Sequence, residues 1–149
     1  MRLTQYTDYS LRVLIYLGLR DQHKLSNIKE IADSYNISKN HLMKVTHQLG
    51  QMGLIKTVRG RNGGIALNKA PQDINIGDVV AQTEEDFQIV ECFQQNSCCA
   101  ISSACKLKGV LREALKAFLA VLKQYTLEDL IQNEAELYFL LHTEKATKK

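Results

Sequence analysis

Apolar positions recur with a helical period over most of the chain and divide it into a few elements. The first helix, starting at Thr4 or Thr7 and running to about Arg20, carries Leu11, Val13, Leu14, Ile15, Leu17 and Leu19. A helix apolar on so many sides is packed from more than one direction. Ser26 is placed to cap a second helix over 27–35, with Ile28, Ile31 and Ala32 on one face. A break follows at Tyr35-Asn36-Ile37, where Asn36 is among the few non-glycine types that tolerate a left-handed turn. Ser38 is placed to cap a third helix over about 39–52. Leu42, Val45, Leu49 and Met52 form its buried stripe. Asn40, His41, Lys44, His47, Gln48 and Gln51 lie on the other side.

The period then changes. Leu54-Ile55-Lys56-Thr57-Val58 and Ile65-Ala66-Leu67 flank Arg59-Gly60-Arg61-Asn62-Gly63-Gly64, and β-branched residues around an Asn-Gly turn predict a hairpin. Later, over 107–125, the positions Leu107, Leu111, Ala114, Phe118, Val121 and Tyr125 alternate four and three apart. A second stripe runs through Val110, Leu115, Leu119 and Leu122. Two stripes would let one long helix pack on its own domain and on a second copy at once. Thr126 is placed to cap a final helical region that opens with Glu128 and Asp129 and reaches about His142.

These elements predict a mainly α fold with a small β-hairpin wing. A winged helix-turn-helix DNA-binding domain spans 1–71. A region over 72–149 follows, holding a loop at about 90–106 and a long dimerisation helix. A helix fits the major groove, where its first two turns reach base edges. Ser38, Lys39, Asn40, His41 and Lys44 occupy those turns. Asn40 can pair bidentately with adenine, whereas Ser38, Lys39 and Lys44 suit phosphate. At the hairpin tip, Arg59 and Arg61 stand beside Gly60, Asn62, Gly63 and Gly64. There the backbone can approach DNA closely and place an arginine in a narrow minor groove. A reader this small recognises few base pairs, so a homodimer on a palindromic operator in double-stranded DNA is expected.

Charge sharpens that picture. Residues 1–71 carry 11 Lys and Arg against 4 Asp and Glu, while residues 72–149 carry 8 against 12. An uneven solvated surface could account for this, but a basic half is also what a polyanion partner requires. With 45% hydrophobic and 23% charged residues among 149, the chain is ordinary for a folded domain. The longest apolar run, Val13 to Leu19, is far below the ~18 residues of a membrane span, and Met1-Arg2-Leu3-Thr4 opens no secretory signal. A cytoplasmic protein without membrane contact is expected, and no catalytic base or substrate pocket is visible.

All four cysteines, Cys92, Cys98, Cys99 and Cys105, fall within 14 residues. The spacing is not that of structural zinc sites, which pair cysteines two to four apart twice over. An iron–sulfur cluster accepts looser spacing, and the start of the following helix favours thiolates through its unpaired N–H groups. A vicinal dithiol switch at Cys98–Cys99 remains the alternative, with zinc behind it. His23, His41, His47 and His142 form no ligand spacing with the cysteines.

Four segments carry a resemblance: Tyr6-Thr7-Asp8-Tyr9-Ser10-Leu11-Arg12, Ser38-Lys39-Asn40-His41-Leu42-Met43-Lys44-Val45, Arg59-Gly60-Arg61-Asn62-Gly63-Gly64-Ile65 and Cys99-Ala100-Ile101-Ser102-Ser103-Ala104-Cys105. Together they resemble the nitric-oxide-sensing repressors of the winged-helix iron–sulfur regulator family that also contains IscR. The likeness runs from about Arg2 to His142, and the Cys-x5-Cys segment is its most diagnostic part.

The resemblance implies a cluster, [4Fe–4S] with [2Fe–2S] as the alternative, on Cys92, Cys99 and Cys105. It implies Asp8 of the partner subunit as fourth ligand, and nitric oxide as the signal that dismantles the cluster and releases DNA. Cys98 departs from the pattern; it is the alternative ligand to Cys99 or could complete an all-cysteine site. A regulator of the same architecture reading cluster supply or a redox or thiol signal is the nearest rival. A small electron-transfer protein is the rival from another class.

Overall fold

The computed structural model describes residues 1–21 and 23–143. Seven helices are described: α1 Gln5–Gly18, α2 Ile28–Tyr35, α3 Lys39–Gln51, α4 Ile76–Thr83, α5 Leu107–Leu122, α6 Leu127–Leu130 and α7 Glu134–Thr143. The strands β1 Ile55–Val58 and β2 Gly64–Leu67 form one antiparallel hairpin, with Ile55 opposite Leu67 and Val58 opposite Gly64. The predicted region 72–149 ends in residues 144–149, outside the described residues. Among the described residues, no helix is long and apolar enough to cross a membrane.

The core explains the order of elements. Val13, Leu14 and Leu17 of α1 meet Ile31 of α2, Leu42, Val45 and Leu49 of α3, and Ile55 and Ile65 of the hairpin, all buried. Ile74, Ile76 and Val79 around α4 and Leu127 of α6 join the same cluster, so the hydrophobic interior continues past Pro71. The short α4, capped by Asn75 accepting from the Asp78 N–H at 3.1 Å, has no counterpart among the elements expected from the sequence.

Local chemistry sets the boundaries. Thr4 caps α1, accepting from the Thr7 N–H, and the helix ends at Gly18 rather than Arg20. Asn36 takes the left-handed conformation, φ 55° and ψ 49°, and its N–H donates to Ala32 O to close α2. The second helix is capped by Asn27, which accepts from the Glu30 N–H at 2.9 Å, and not by Ser26. Ser26 is instead fully buried and bridges to Ile65, exchanging two backbone bonds of 2.9 and 2.8 Å. This third rung ties the wing to the segment before α2, and the Ser26 hydroxyl accepts from Arg20 Nε. Ser38 stands at the start of α3 as expected, but its hydroxyl makes no capping bond.

The hairpin tip is also longer than a two-residue Asn-Gly turn. Strand pairing stops at Val58 and Gly64, so residues 59–63 form the loop. The positive φ falls on Gly60, at 111°, and the Gly63 N–H donates back to Gly60 O at 3.0 Å.

Near the other end, Thr126 stands at the N-cap of α6 as expected, and its N–H and hydroxyl both donate to the Asp129 carboxylate, at 2.8 and 3.2 Å. The final helical region is divided, with α6 ending at Leu130 and α7 beginning at Glu134.

Candidate nucleic-acid interface and cysteine loop

The third helix divides as its pattern requires. Leu42, Val45 and Leu49 are buried against α1, while Ser38, Lys39, Asn40, His41 and Lys44 are all exposed. Their exposure leaves hydroxyl, amide and ammonium groups free for an outside partner. At the wing, Arg59, Arg61 and Asn62 are exposed, and Gly63 and Gly64 are half-buried where the strand begins. A shallow groove of about 320 Å³ lies between the second half of α3 and β1, lined by His47, Gln51 and Thr57 among others.

Three residues of this face were missed in the sequence. Met43 is 50% exposed in the middle of α3, an apolar side chain on an otherwise polar face. Tyr6 and Tyr9 of α1 reach the same helix: the Tyr6 hydroxyl donates to Gln48, and the Tyr9 ring lies 6.2 Å from His41. Burial raises the Tyr6 hydroxyl above its usual range, so it stays a donor. Gln48, expected on the solvent side, is half-buried by this bond. Aromatic residues one turn apart near a helix start gave a weak signal, because they read equally well as core.

Asp8 is engaged within its own helix. Arg12 donates from Nε to Oδ1 at 3.0 Å and from Nη2 to Oδ2 at 2.8 Å, a bidentate pair. The Arg12 guanidinium also lies 5.7 Å from the Tyr9 ring and 5.9 Å from the Tyr35 ring. The Tyr35 hydroxyl donates to Arg12 O at 3.0 Å, and burial pushes its pKa up to about 12.

The cysteines sit on the segment between α4 and α5. Cys92 lies in a short 3-10 turn, Glu91–Phe93, and is half-buried. Cys98 and Cys99 are exposed, and Cys105 is half-buried two residues before α5 begins. Turns within the segment bring the Ser102 N–H to Cys99 O at 3.2 Å and the Ala104 N–H to Ile101 O at 3.0 Å. The Phe93 ring lies 5.7 Å from the Arg112 guanidinium, so the loop touches α5.

All four thiols are free. As donors they fit an iron–sulfur cluster, being soft, accessible and unpaired. The loop conformation does not gather them: among the described residues, no three His, Cys, Asp or Glu side chains form a metal-holding group.

The two stripes read along α5 regroup in three dimensions. Leu111, Leu115, Phe118, Leu119 and Leu122 are half-buried on the chain's own body, whereas Leu107, Val110, Ala114, Ala117 and Val121 form an exposed row. That row is spaced alternately three and four residues apart, the period of a helix-helix seam.

A family model described as Rrf2, iron-dependent transcriptional regulator, matches residues 3–133. The chain is similar to the HTH-type transcriptional regulator NsrR of Bacillus subtilis (strain 168), with 60% identity over 142 residues, 95% of this chain and 97% of that one. It is likewise similar to the regulator of the same name from Shouchella clausii, with 59% identity over 142 residues, 95% of each chain. Among solved structures, the oxidized form of Staphylococcus aureus CymR superimposes with a TM-score of 0.73 at 25% identity, covering 89% of this chain and 97% of that one. The T. potens IscR structure superimposes with a TM-score of 0.72 at 23% identity, covering 89% and 88%, and shows the shared fold.

Proposed function

The chain belongs to the Rrf2 family of iron-dependent transcriptional regulators, and from that footing we propose that it is a cytoplasmic, homodimeric repressor whose hold on promoter DNA is released by nitric oxide. Its relatives are transcriptional regulators, so it is a DNA-binding regulator and not an enzyme. In this reading, residues 1–71 read the operator and residues 72–149 sense and dimerise.

The observation that carries the proposal is the placement of four free thiols on one loop directly ahead of α5, in a chain 60% identical to a regulator named NsrR. Cys92, Cys99 and Cys105 would hold the iron–sulfur cluster, [4Fe–4S] in preference to [2Fe–2S]. Asp8 of the partner subunit would be the fourth ligand, with Cys98 as the alternative ligand. When bound, such a cluster supplies iron that reacts with nitric oxide.

The remaining work falls to the protein's own residues. Asn40 pairs with a base edge while Ser38, Lys39 and Lys44 hold phosphates, and His41 sits on the same two turns. The wing, with Arg59, Arg61, Asn62, Gly63 and Gly64, approaches the minor groove. A palindrome is needed because the exposed row on α5 supports pairing with a second copy, which presents two reading helices related by a two-fold axis. To serve as a ligand, Asp8 would have to give up its bidentate pair with Arg12, so occupancy of the site and the arrangement of α1 would be linked.

The test is an anaerobic absorbance titration with nitric oxide, with operator binding followed in parallel. A coloured protein that bleaches as DNA dissociates is expected, and Cys99→Ala should be colourless. A colourless wild-type protein that binds DNA unchanged would sink the cluster reading and favour the exposed Cys98–Cys99 pair as a thiol switch.

A further inference from the structure

Glu84 closes α4 and opens the segment that leads to the cysteines. Its carboxylate reaches back across eighty positions of sequence to the start of α1. Oε1 accepts the Thr4 backbone N–H at 2.7 Å and the Thr4 hydroxyl at 3.0 Å. Thr4 is the residue that caps α1, so Glu84 holds the cap in place. The first N–H groups of a helix have no partner within it and favour a negative charge. A carboxylate is therefore the side chain best suited to this position.

Beyond the shared core, the start of α1 that Thr4 caps carries polar and aromatic contacts to the reading helix. Tyr6 donates to Gln48, Tyr9 lies beside His41, and the Gln5 amide donates to the Tyr9 hydroxyl at 2.6 Å. Just past Glu84, Phe87 and Ile89 line a groove of about 540 Å³ with Leu115 and Phe118 of α5, and Met1 and Leu3 complete its walls. The N-terminal segment is thus held between the first residues of the loop and the long helix. A displacement of the loop would therefore reach Glu84, the α1 cap it holds, and Tyr6 and Tyr9 beyond it.

We propose that Glu84 is a positioning residue that transmits the state of the cysteine loop to the DNA-reading helix through the first turn of α1. This rests on the reading of the loop as the sensing element. It assigns Glu84 neither to the metal nor to DNA; the residue acts through Thr4.

The experiment uses the full chain, wild type, Glu84→Ala and Glu84→Gln, each prepared iron-loaded and iron-free. The first readout is the ratio of operator affinities between the two forms. Losing the support of a helix cap corresponds to about fivefold in the equilibrium it sustains, so the ratio should fall about fivefold in Glu84→Ala. Glu84→Gln, which keeps an oxygen acceptor without the charge, should restore part of it.

The second readout is hydrogen exchange on the iron-free chain. Amides of the first turn of α1, Thr7 to Tyr9, should exchange faster in Glu84→Ala, with Val13 and Leu14 unchanged. An unchanged ratio, or equal weakening of both forms, would overturn the relay, because a merely structural role lowers both alike. Unchanged exchange would overturn the tether itself. If wild-type protein shows no difference between its two forms, the sensing reading has failed and the relay falls with it. The exchange measurement then reports on the tether alone.

Discussion

Replacing Gly77 by alanine isolates the contact between α4 and the end of α5. Alanine in a helix is ordinarily better than glycine by about 0.8–1.0 kcal/mol, so an unobstructed Gly77→Ala would stabilise the protein. It is obstructed. A Cβ at Gly77 would lie 2.3 Å from Lys123 Cγ, 2.7 Å from Lys123 N and 2.8 Å from Lys123 Cα. The side-chain carbon can swing away, but the two backbone atoms lie well inside the 3.4 Å at which ordinary contact begins.

Moving that backbone strains a dense set of bonds. The Asn75 amide donates to Lys123 O at 2.8 Å, the Ile76 N–H to Tyr125 O at 2.9 Å, and the Leu127 N–H to Ile74 O at 2.8 Å. Overpacking of this kind costs about 1–3 kcal/mol, which outweighs the gain in helix propensity. The net expectation is a loss of up to about 2 kcal/mol. For a domain of this size that is a fall in Tm of up to roughly 8 °C. The control is Gly50→Ala in α3, where a Cβ meets nothing within 4 Å. That variant should gain up to about 1 kcal/mol. Thermal unfolding followed by circular dichroism compares the two directly. If Gly77→Ala proves as stable as Gly50→Ala, the close packing of α4 on the end of α5 is wrong.

Further outcomes follow from other parts of the molecule. Replacing both Arg59 and Arg61 by alanine should weaken binding to all sequences and lower the slope of log affinity against log salt by about 2, read by fluorescence anisotropy across a salt series. An unchanged slope would remove the wing from the phosphate contacts. Tyr35 is held protonated by burial, with its pKa pushed up to about 12. A folded pKa above the unfolded value near 10 makes its contribution complete below pH 10 and lost as the pH rises toward 12. Tyr35→Phe should therefore flatten the loss of stability between about pH 10 and 12 in denaturant titrations. Asn36→Ala should cost about 1 kcal/mol by the same assay, because φ 55° is unfavourable for alanine. No loss there would mean that α2 and α3 can be joined by another turn.

Much of the chain from α1 to the wing was legible because local chemistry and tertiary need coincide there. The stripe on α3, the left-handed Asn36 and the paired runs flanking the wing each admit few alternatives. The cap of α2 was misplaced for an instructive reason. Ser26 and Asn27 are both able to cap, and only the wing, whose Ile65 takes Ser26 as a strand partner, decides between them. The short α4, eight residues like α2, escaped although Ile76, Val79 and Val80 stand at helical spacing, because Gly77 in its first turn reads as a poor helix former.

The candidate site was legible to different depths. Exposure on α3 followed from its periodicity, but Tyr6 and Tyr9 became visible only once α1 was laid against it. For the cysteines, spacing conveyed their number and chemistry. It could not convey the loop path, because residues 84–106 lack the repeating pattern that fixes a helix or strand.

The crossing of Gly77 and Lys123 also fixes a pivot. The segment that follows α5 is tied to the start of α4 by two hydrogen bonds, from the Asn75 side chain to Lys123 O and from the Ile76 N–H to Tyr125 O, whereas the other end of α5 begins beside Cys105. A helix of sixteen residues is about 24 Å long, so a tilt of roughly 5° about the pinned end carries Leu107 by about 2 Å. The long helix is thus a lever with its fulcrum in the core and its load arm at the cysteines. A change too small to disturb the packed interior is magnified at the far end, where a second copy would meet it.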